Sequence, residues 1–86
     1  MKLKKDFVLH RSGDESFLVP VGGTEFAGVL QGNAFFGEIL SLLQTDTDAA
    51  ELVDTLYARI DAPREKLQAD AQRVISELRK IGALEE

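Results

Sequence analysis

The chain has 86 residues, 44% of them apolar and 29% charged, which indicates one small globular domain spanning residues 1–86. It contains no cysteine and one histidine, so disulfides, thiolate nucleophiles and the usual cysteine- or histidine-ligated metal sites are excluded. Fifteen acidic residues against ten basic ones give a net charge of −5, which argues against nucleic acid as a partner.

The N-terminal residues are basic, but only three apolar residues follow before His10 and Arg11. This run is far shorter than the apolar region of a signal peptide, and no run approaches the length that crosses a membrane. We therefore expect a cytoplasmic protein without a membrane partner.

Two apolar runs separated by a polar turn predict a β-hairpin. The first strand is expected at residues 7–11, the turn at 12–15 and the second strand at 17–21. Pro20 lacks an N–H, so it should lie near a strand end or with its nitrogen directed away from the neighbouring strand. Alternation along the second strand places three apolar side chains on one face: Phe17, Val19 and Val21.

A third, weaker strand is predicted at residues 26–31, after a turn at 22–25. Ala27, Gly28 and Gln31 give it little bulk, and Gly28 allows another backbone to approach closely. A three-stranded meander has two edge strands, and one layer of helices cannot cover both of them, so one open edge is expected. The third strand is therefore either a merely tolerated edge or one to which an extended peptide adds as a further strand. The same edge could pair with a second copy of the chain, giving a homodimer.

After Gly32 the apolar residues recur at helical spacing and predict three helices. Asn33 is expected to cap the first helix, Thr47 or Asp48 the second, and Pro63 to stand at the first position of the third. Gly82 is placed to end the third helix in the left-handed conformation. Strands followed by helices predict an α+β domain with the helices on one face of a small antiparallel sheet.

No group of residues predicts catalysis, a metal or a cofactor. His10 lacks the orienting partner that a general base needs. The glycine pair at 22–23 lacks the following lysine of a phosphate-binding loop. Asp46, Asp48 and Glu51 lack the EF-hand pattern and stand where the helix dipole favours carboxylates. We expect a protein that is not an enzyme.

The third predicted helix carries a local excess of positive charge in an acidic protein. Its charged residues are Arg64, Glu65, Lys66, Asp70, Arg73, Glu77, Arg79 and Lys80. A solvated helix face and a binding surface for a negatively charged partner explain this excess equally well.

An ordered set of segments covers nearly the whole chain: MKLKKDFVL at 1–9, LVPVG at 18–22, FAGVL at 26–30, the Asn-led stretch at 33–43, the cap at 47–48, Leu-Val at 52–53 and LRKIGAL at 78–84. No single segment is specific, but together they resemble the family of pyrroloquinoline quinone biosynthesis protein D (PqqD). The resemblance implies a winged-helix-like domain of three strands followed by three helices.

The resemblance also implies a function. Such domains are recognition elements for ribosomally synthesised, post-translationally modified peptides. They bind the leader segment of the precursor as an extra strand beside the third helix. They perform no chemistry themselves and deliver the precursor to a partner enzyme, often a radical S-adenosylmethionine protein.

By position, the resemblance assigns the docking strand to Ala27, Gly28, Val29, Leu30 and Gln31. It assigns the facing helix surface to Asp70, Arg73, Val74 and Glu77, although the opposite flank has nearly the same claim: Arg64, Gln68, Ile75 and Arg79. The short segment before the third strand, and the residues at 34–37, depart from the family pattern and indicate a side branch of the family.

The alternative from another class is a winged-helix transcription regulator whose third helix enters a DNA groove. The net charge of −5 and the carboxylates of Asp70 and Glu77 disfavour it.

Overall fold

The computed structural model describes residues 1–22 and 28–86. Its elements are β1 (Lys2–Leu3), β2 (Phe7–Ser12), β3 (Glu15–Pro20), β4 (Leu30–Gly32), α1 (Ala34–Leu42), α2 (Ala49–Arg59), α3 (Arg64–Lys80) and β5 (Leu84–Glu85). The predicted α+β order is confirmed, with a three-stranded antiparallel sheet in the order β2-β3-β4 followed by three helices. The sequence did not predict the second, two-stranded sheet, in which β1 pairs with β5.

The β2–β3 hairpin turns at Gly13 and Asp14, between the paired residues Ser12 and Glu15. Gly13 has a φ of +61°, as a type II′ turn requires at its first central position. In a two-residue hairpin the pair of residues beside the turn exchanges both backbone hydrogen bonds. Hydrogen-bonded pairs then alternate with non-hydrogen-bonded pairs along the two strands. This alternation makes Phe7–Pro20 a non-hydrogen-bonded pair. The missing N–H of Pro20 therefore removes no hydrogen bond between β2 and β3.

The alternation along β3 also determines which face is buried. Ser16 and Leu18 are fully buried beneath the helices, whereas Phe17 and Val19 are half-buried on the opposite face. Val21, which continues that opposite face, is 60% exposed. The three residues predicted to share a face therefore share the outer one.

The third strand begins later than predicted. The predicted strand at 26–31 is observed as β4, Leu30–Gly32, and Gly28 and Val29 precede it outside the ladder. Phe26 and Ala27, like most of the predicted turn before them, lie outside the described residues. The register Leu18↔Leu30 would place Pro20 opposite Gly28 as the next hydrogen-bonded pair. Pro20 has no N–H to donate, so the ladder ends at Leu30.

Helix α1 begins at the predicted cap, since the Asn33 side chain accepts a hydrogen bond of 3.1 Å from the Phe36 N–H. The helix then crosses β3 very closely at Gly37, where a Cβ would overlap Ser16 Oγ. Ser16 Oγ is buried without a hydrogen-bond partner among the described residues. Gly37 lowers the helix propensity of α1, but it is required for this close packing.

The other helix ends follow local signals. Asp48, one of the two predicted candidates, caps α2 by accepting from the Glu51 N–H at 2.9 Å. Pro63 is the residue before α3 rather than its first helical residue, a shift of one position. Gly82 ends α3 with the predicted left-handed conformation, at φ +70°. No helix in the described part of the chain is long and apolar enough to span a membrane.

One apolar core lies between the inner face of the sheet and the three helices. Its fully buried large side chains are Leu18, Ile39, Leu40, Leu43, Leu52, Leu56, Ile75 and Leu78. Because α3 contributes Ile75 and Leu78 to this core, the flank that includes Val74 remains at the surface, beside β4.

Candidate functional site

A cleft of about 470 Å³ lies between β4 and α3. Its lining residues are Leu30, Gln31, Gly32, Asn33, Phe36, Arg73, Val74 and Glu77. The backbone of β4 therefore forms one wall of the cleft, the start of α1 forms a second, and the surface of α3 forms a third. Such a cleft suits an elongated ligand that has both main-chain and side-chain groups to contribute.

The outer edge of β4 has no neighbouring strand among the described residues. Since β3 uses Phe17 and Val19 to bond with β2, the alternation turns the backbone of Ser16 and Leu18 towards β4. The partners of those two residues, Gly32 and Leu30, therefore bond to β3. The N–H and C=O of Gln31 consequently point outward, along the cleft.

The floor of the cleft is apolar. Leu30, Phe36 and Val74 are each half-buried and pack against the core. The Phe36 ring lies directly over Gly32, where any Cβ would overlap its ring carbons. Gly32 therefore allows the Phe36 side chain to lie against the strand where β4 meets α1.

The rim of the cleft carries one charge of each sign. Arg73 donates to Asp70 at 3.0 Å, and Asp70 also pairs with Lys66 at 3.2 Å. Glu77 accepts from Lys80 at 3.4 Å. These contacts are at the surface, so they hold the side chains beside the cleft and contribute little to stability.

The structure brings together five of the nine predicted site residues: Leu30, Gln31, Arg73, Val74 and Glu77. Asp70 does not line the cleft and instead orients Arg73 from the side. Gly28 and Val29 precede the strand and do not line the cleft, while Ala27 lies outside the described residues.

The opposite flank of α3 is engaged within the fold. Ile75 is buried in the core, and Arg64 pairs with Asp54 and lies over the Tyr57 ring at 5.6 Å. Arg79 forms a two-pronged contact with Glu86, which raises the pKa of Arg79 and lowers that of Glu86. Gln68 alone of that flank is exposed without such a contact among the described residues.

Sequence reasoning missed three lining residues: Gly32, Asn33 and Phe36. They could have been found from the position of Asn33, because a cap directly after an edge strand brings the first turn of a helix against that strand. Phe36, three residues further on, then comes back over Gly32.

The other candidate sites take structural roles. His10 is exposed on the outer face of the sheet, with its ring 6.2 Å from that of Phe17. Asp48 caps α2, and Asp46 accepts a 2.7 Å bond from the Met1 amino group, which lowers the pKa of Asp46. In the part of the chain that the structure describes, no cluster of acidic or histidine side chains is arranged to hold a metal.

Comparisons with known proteins agree with this architecture. The sequence profile of a family described as coenzyme PQQ synthesis protein D (PqqD) matches residues 27–84. A solved structure of TbiB1 in complex with the TbiA(beta) leader peptide aligns with a TM-score of 0.75 at 21% identity, covering 99% of this chain and 100% of that one. At this identity the alignment shows a shared fold. No protein with a curated description matches the chain in sequence.

Proposed function

The chain belongs to the PqqD family, whose profile spans most of its length, and from this premise we propose that it binds the leader segment of a ribosomally synthesised precursor peptide. The bound peptide adds to β4 as a further strand. The chain performs no chemistry and presents the precursor to a modifying enzyme. The shared fold with TbiB1, which was solved with a leader peptide, supports this role.

The observation that carries the proposal is the cleft between the outer edge of β4 and α3. The outward N–H and C=O of Gln31 are available to pair with an extended peptide. Alternate side chains of an added strand point to the same face, so one of them meets the apolar floor of Leu30, Phe36 and Val74. Arg73 and Glu77 stand where they contact its neighbours.

The charges of α3 support a peptide over duplex DNA. Each lysine and arginine of this helix contacts a carboxylate: Arg64 with Asp54, Lys66 and Arg73 with Asp70, Arg79 with Glu86, and Lys80 with Glu77. Phosphate contacts would have to replace these ion pairs, in a protein whose net charge is −5.

The recipient of the peptide is proposed to be a radical S-adenosylmethionine enzyme, which the family resemblance supports. Because the precursor is made on ribosomes, we propose that the exchange takes place in the cytoplasm. A second copy of the chain paired along β4 would compete for the outward groups of Gln31, so peptide binding and such a homodimer are mutually exclusive.

Fluorescence polarisation tests the binding step. Fluorescent leader segments of short reading frames encoded beside the gene are titrated with the protein at low and moderate salt. We expect saturable binding at micromolar or tighter concentration with weak dependence on salt. Binding to duplex DNA that falls steeply with salt, without binding to any leader, would contradict the proposal.

The delivery step is tested by the rate at which the enzyme encoded beside the gene modifies its precursor. We expect the wild-type chain to accelerate modification and the Gln31→Pro variant to do so far less. Equal acceleration by both proteins would show that the β4 edge does not present the peptide.

A further inference from the structure

The basic side chains that form no ion pair among the described residues all belong to the first eleven residues of the chain. Residues 1–11 contain four lysine or arginine residues and only one acidic residue. Among the described residues, no ion pair involves these four: Lys2, Lys4, Lys5 and Arg11. The other basic residues all contact a carboxylate: Arg59, Arg64, Lys66, Arg73, Arg79 and Lys80.

Three of these lysines line a second cleft, of about 450 Å³. Lys2, Lys4 and Lys5 share it with the apolar side chains of Val8 and Leu9, among others. Val8 is 46% exposed, which is high for an apolar residue in a strand. This surface, which we call the basic cleft, lies beside β2 and therefore at the edge of the sheet opposite β4.

The backbone of the basic cleft is fixed. The Leu3 N–H donates to the Leu43 carbonyl and the Lys4 N–H to the Ala83 carbonyl, each at 2.8 Å. The Phe7 N–H donates back to the Lys4 carbonyl at 3.2 Å. The lysines therefore project from a rigid segment, which lowers the entropic cost of binding a partner.

The edge of β2 adds main-chain groups to this surface. Val8 and His10 belong to the pairs that bond with β3, so the N–H and C=O groups of Leu9 and Arg11 point outward. A strand laid along this edge would meet backbone groups, the apolar side chain of Val8 and the lysine ammonium groups together.

We propose that the basic cleft is a second docking surface, which binds an acidic, extended segment of the enzyme that receives the peptide. This inference rests on the proposed function. The two clefts lie at opposite edges of the sheet, so leader and enzyme bind simultaneously. The lysines are complementary in charge to the acidic segment. This complementarity fixes the orientation of the protein on the enzyme, and that orientation directs the bound leader towards the enzyme.

Carboxylates near the basic cleft would repel a broad anionic surface and therefore favour a narrow acidic ligand such as a single strand. Asp6 lies within the basic segment, Glu85 stands opposite Lys2 in the β1–β5 pair, and Asp46 adjoins Met1. A membrane surface or a DNA duplex would press its phosphates against these carboxylates as well as against the lysines. A single acidic strand is narrower than either surface and lies against fewer of these carboxylates, so a protein segment fits better than either.

Backbone-amide NMR on the full chain tests the proposal. The probe is a short synthetic peptide that alternates glutamate and leucine, titrated into the ¹⁵N-labelled protein. We expect saturable shifts at residues 2–11 and at Gln44, which also lines this cleft. We also expect about tenfold weaker binding for a variant with Lys2→Gln, Lys4→Gln and Lys5→Gln, given the typical worth of exposed charge pairs.

A matched variant controls for net charge. Gln68→Glu, Gln72→Glu and Ser76→Glu lower the net charge by the same amount at exposed positions of α3, and should leave probe binding within twofold of wild type. Equal weakening in both variants, an absence of saturable shifts, or shifts confined to the β4 cleft would overturn the proposal.

Two further measurements distinguish a protein segment from a membrane or DNA, and distinguish failure of this inference from failure of the proposed leader binding. Stronger competition by phosphatidylserine vesicles or duplex DNA than by the acidic peptide would overturn the assignment to a protein segment. Leader binding by the lysine variant is measured in parallel. We expect the variant to bind the leader as tightly as the wild-type protein does. If the wild-type protein binds the leader but shows no saturable shifts with the acidic probe, the second docking surface is refuted and the proposed function is not.

Discussion

The Gln31→Pro substitution isolates the main-chain contribution of the β4 edge. Proline deletes the outward N–H of Gln31 and places its ring where an added strand would lie, while the pairs at Leu30 and Gly32 remain. One lost hydrogen bond is worth about 0.5–1.5 kcal/mol net. The ring adds a steric cost, so we expect a total near or above the upper end of this range, about 1.4 kcal/mol, which corresponds to a tenfold weaker Kd.

Two measurements on each variant separate binding from stability. Fluorescence polarisation with the leader peptide gives Kd, and urea denaturation gives the free energy of unfolding. Because Gln31 donates no ladder bond, proline there should destabilise the protein by less than about 1 kcal/mol. Leu30→Pro deletes an N–H that bonds to β3, and should cost more stability than Gln31→Pro.

Gln31→Ala is the matched control for the side chain. It removes the amide group and its 3.3 Å bond to Glu15 but keeps the backbone N–H. We expect leader affinity within about threefold of wild type, since this contact is exposed. Wild-type affinity in a folded Gln31→Pro variant, or an equal loss in Gln31→Ala, would refute pairing through the Gln31 backbone.

Three further predictions concern the cleft, the core and a surface ion pair. Val74→Asp places a charge on the apolar floor and should weaken leader binding at least about tenfold. Because Val74 also packs against the core, some loss of stability is expected, and urea denaturation must show that the variant is folded. Unchanged affinity would remove the floor from the site. Gly37→Ala should destabilise the protein by about 1 kcal/mol or more, because overlap with Ser16 Oγ outweighs the gain in helix propensity; a more stable variant would contradict the close approach. The Arg79 guanidinium lowers the pKa of Glu86, so this pair stabilises the fold above the ordinary carboxyl pKa and is lost as pH falls through the lowered value. An NMR titration of Glu86 should show its pKa rising in Arg79→Gln, and an unchanged pKa would refute the contact.

Features that depend on neighbouring residues could be predicted from the sequence. The cap at Asn33 needs only a side-chain oxygen and the next turn of helix, and it is confirmed. For α2 the same rule narrows the cap to Thr47 or Asp48, and the structure selects Asp48. Gly82 ends its helix for a similarly local reason, since only a few residues determine a left-handed C-terminus. The order of strands and helices followed from the periods of the apolar residues.

Features that depend on pairing across the chain could not be predicted. The start of β4 is determined by its register with β3 and by Pro20, ten residues before Leu30. The pairing of β1 with β5 joins the two ends of the chain through only two residues each, which leaves no periodic signal.

The choice between the flanks of α3 was open for the same reason. Apolar residues alternate with charged ones on both sides of the helix, and only the position of β4 decides which side lines the cleft. The structure places Val74 there and directs Ile75, on the other flank, into the core.

The amide hydrogen-exchange rate of Gln31 tests the central proposal most directly. It is measured by NMR with and without a saturating leader peptide. We expect exchange at Gln31 to slow markedly on binding, while Leu9 and Arg11 at the opposite edge of the sheet keep their rates. Unchanged exchange at Gln31 in the saturated complex, or protection of Leu9 and Arg11 instead, would contradict strand addition at β4.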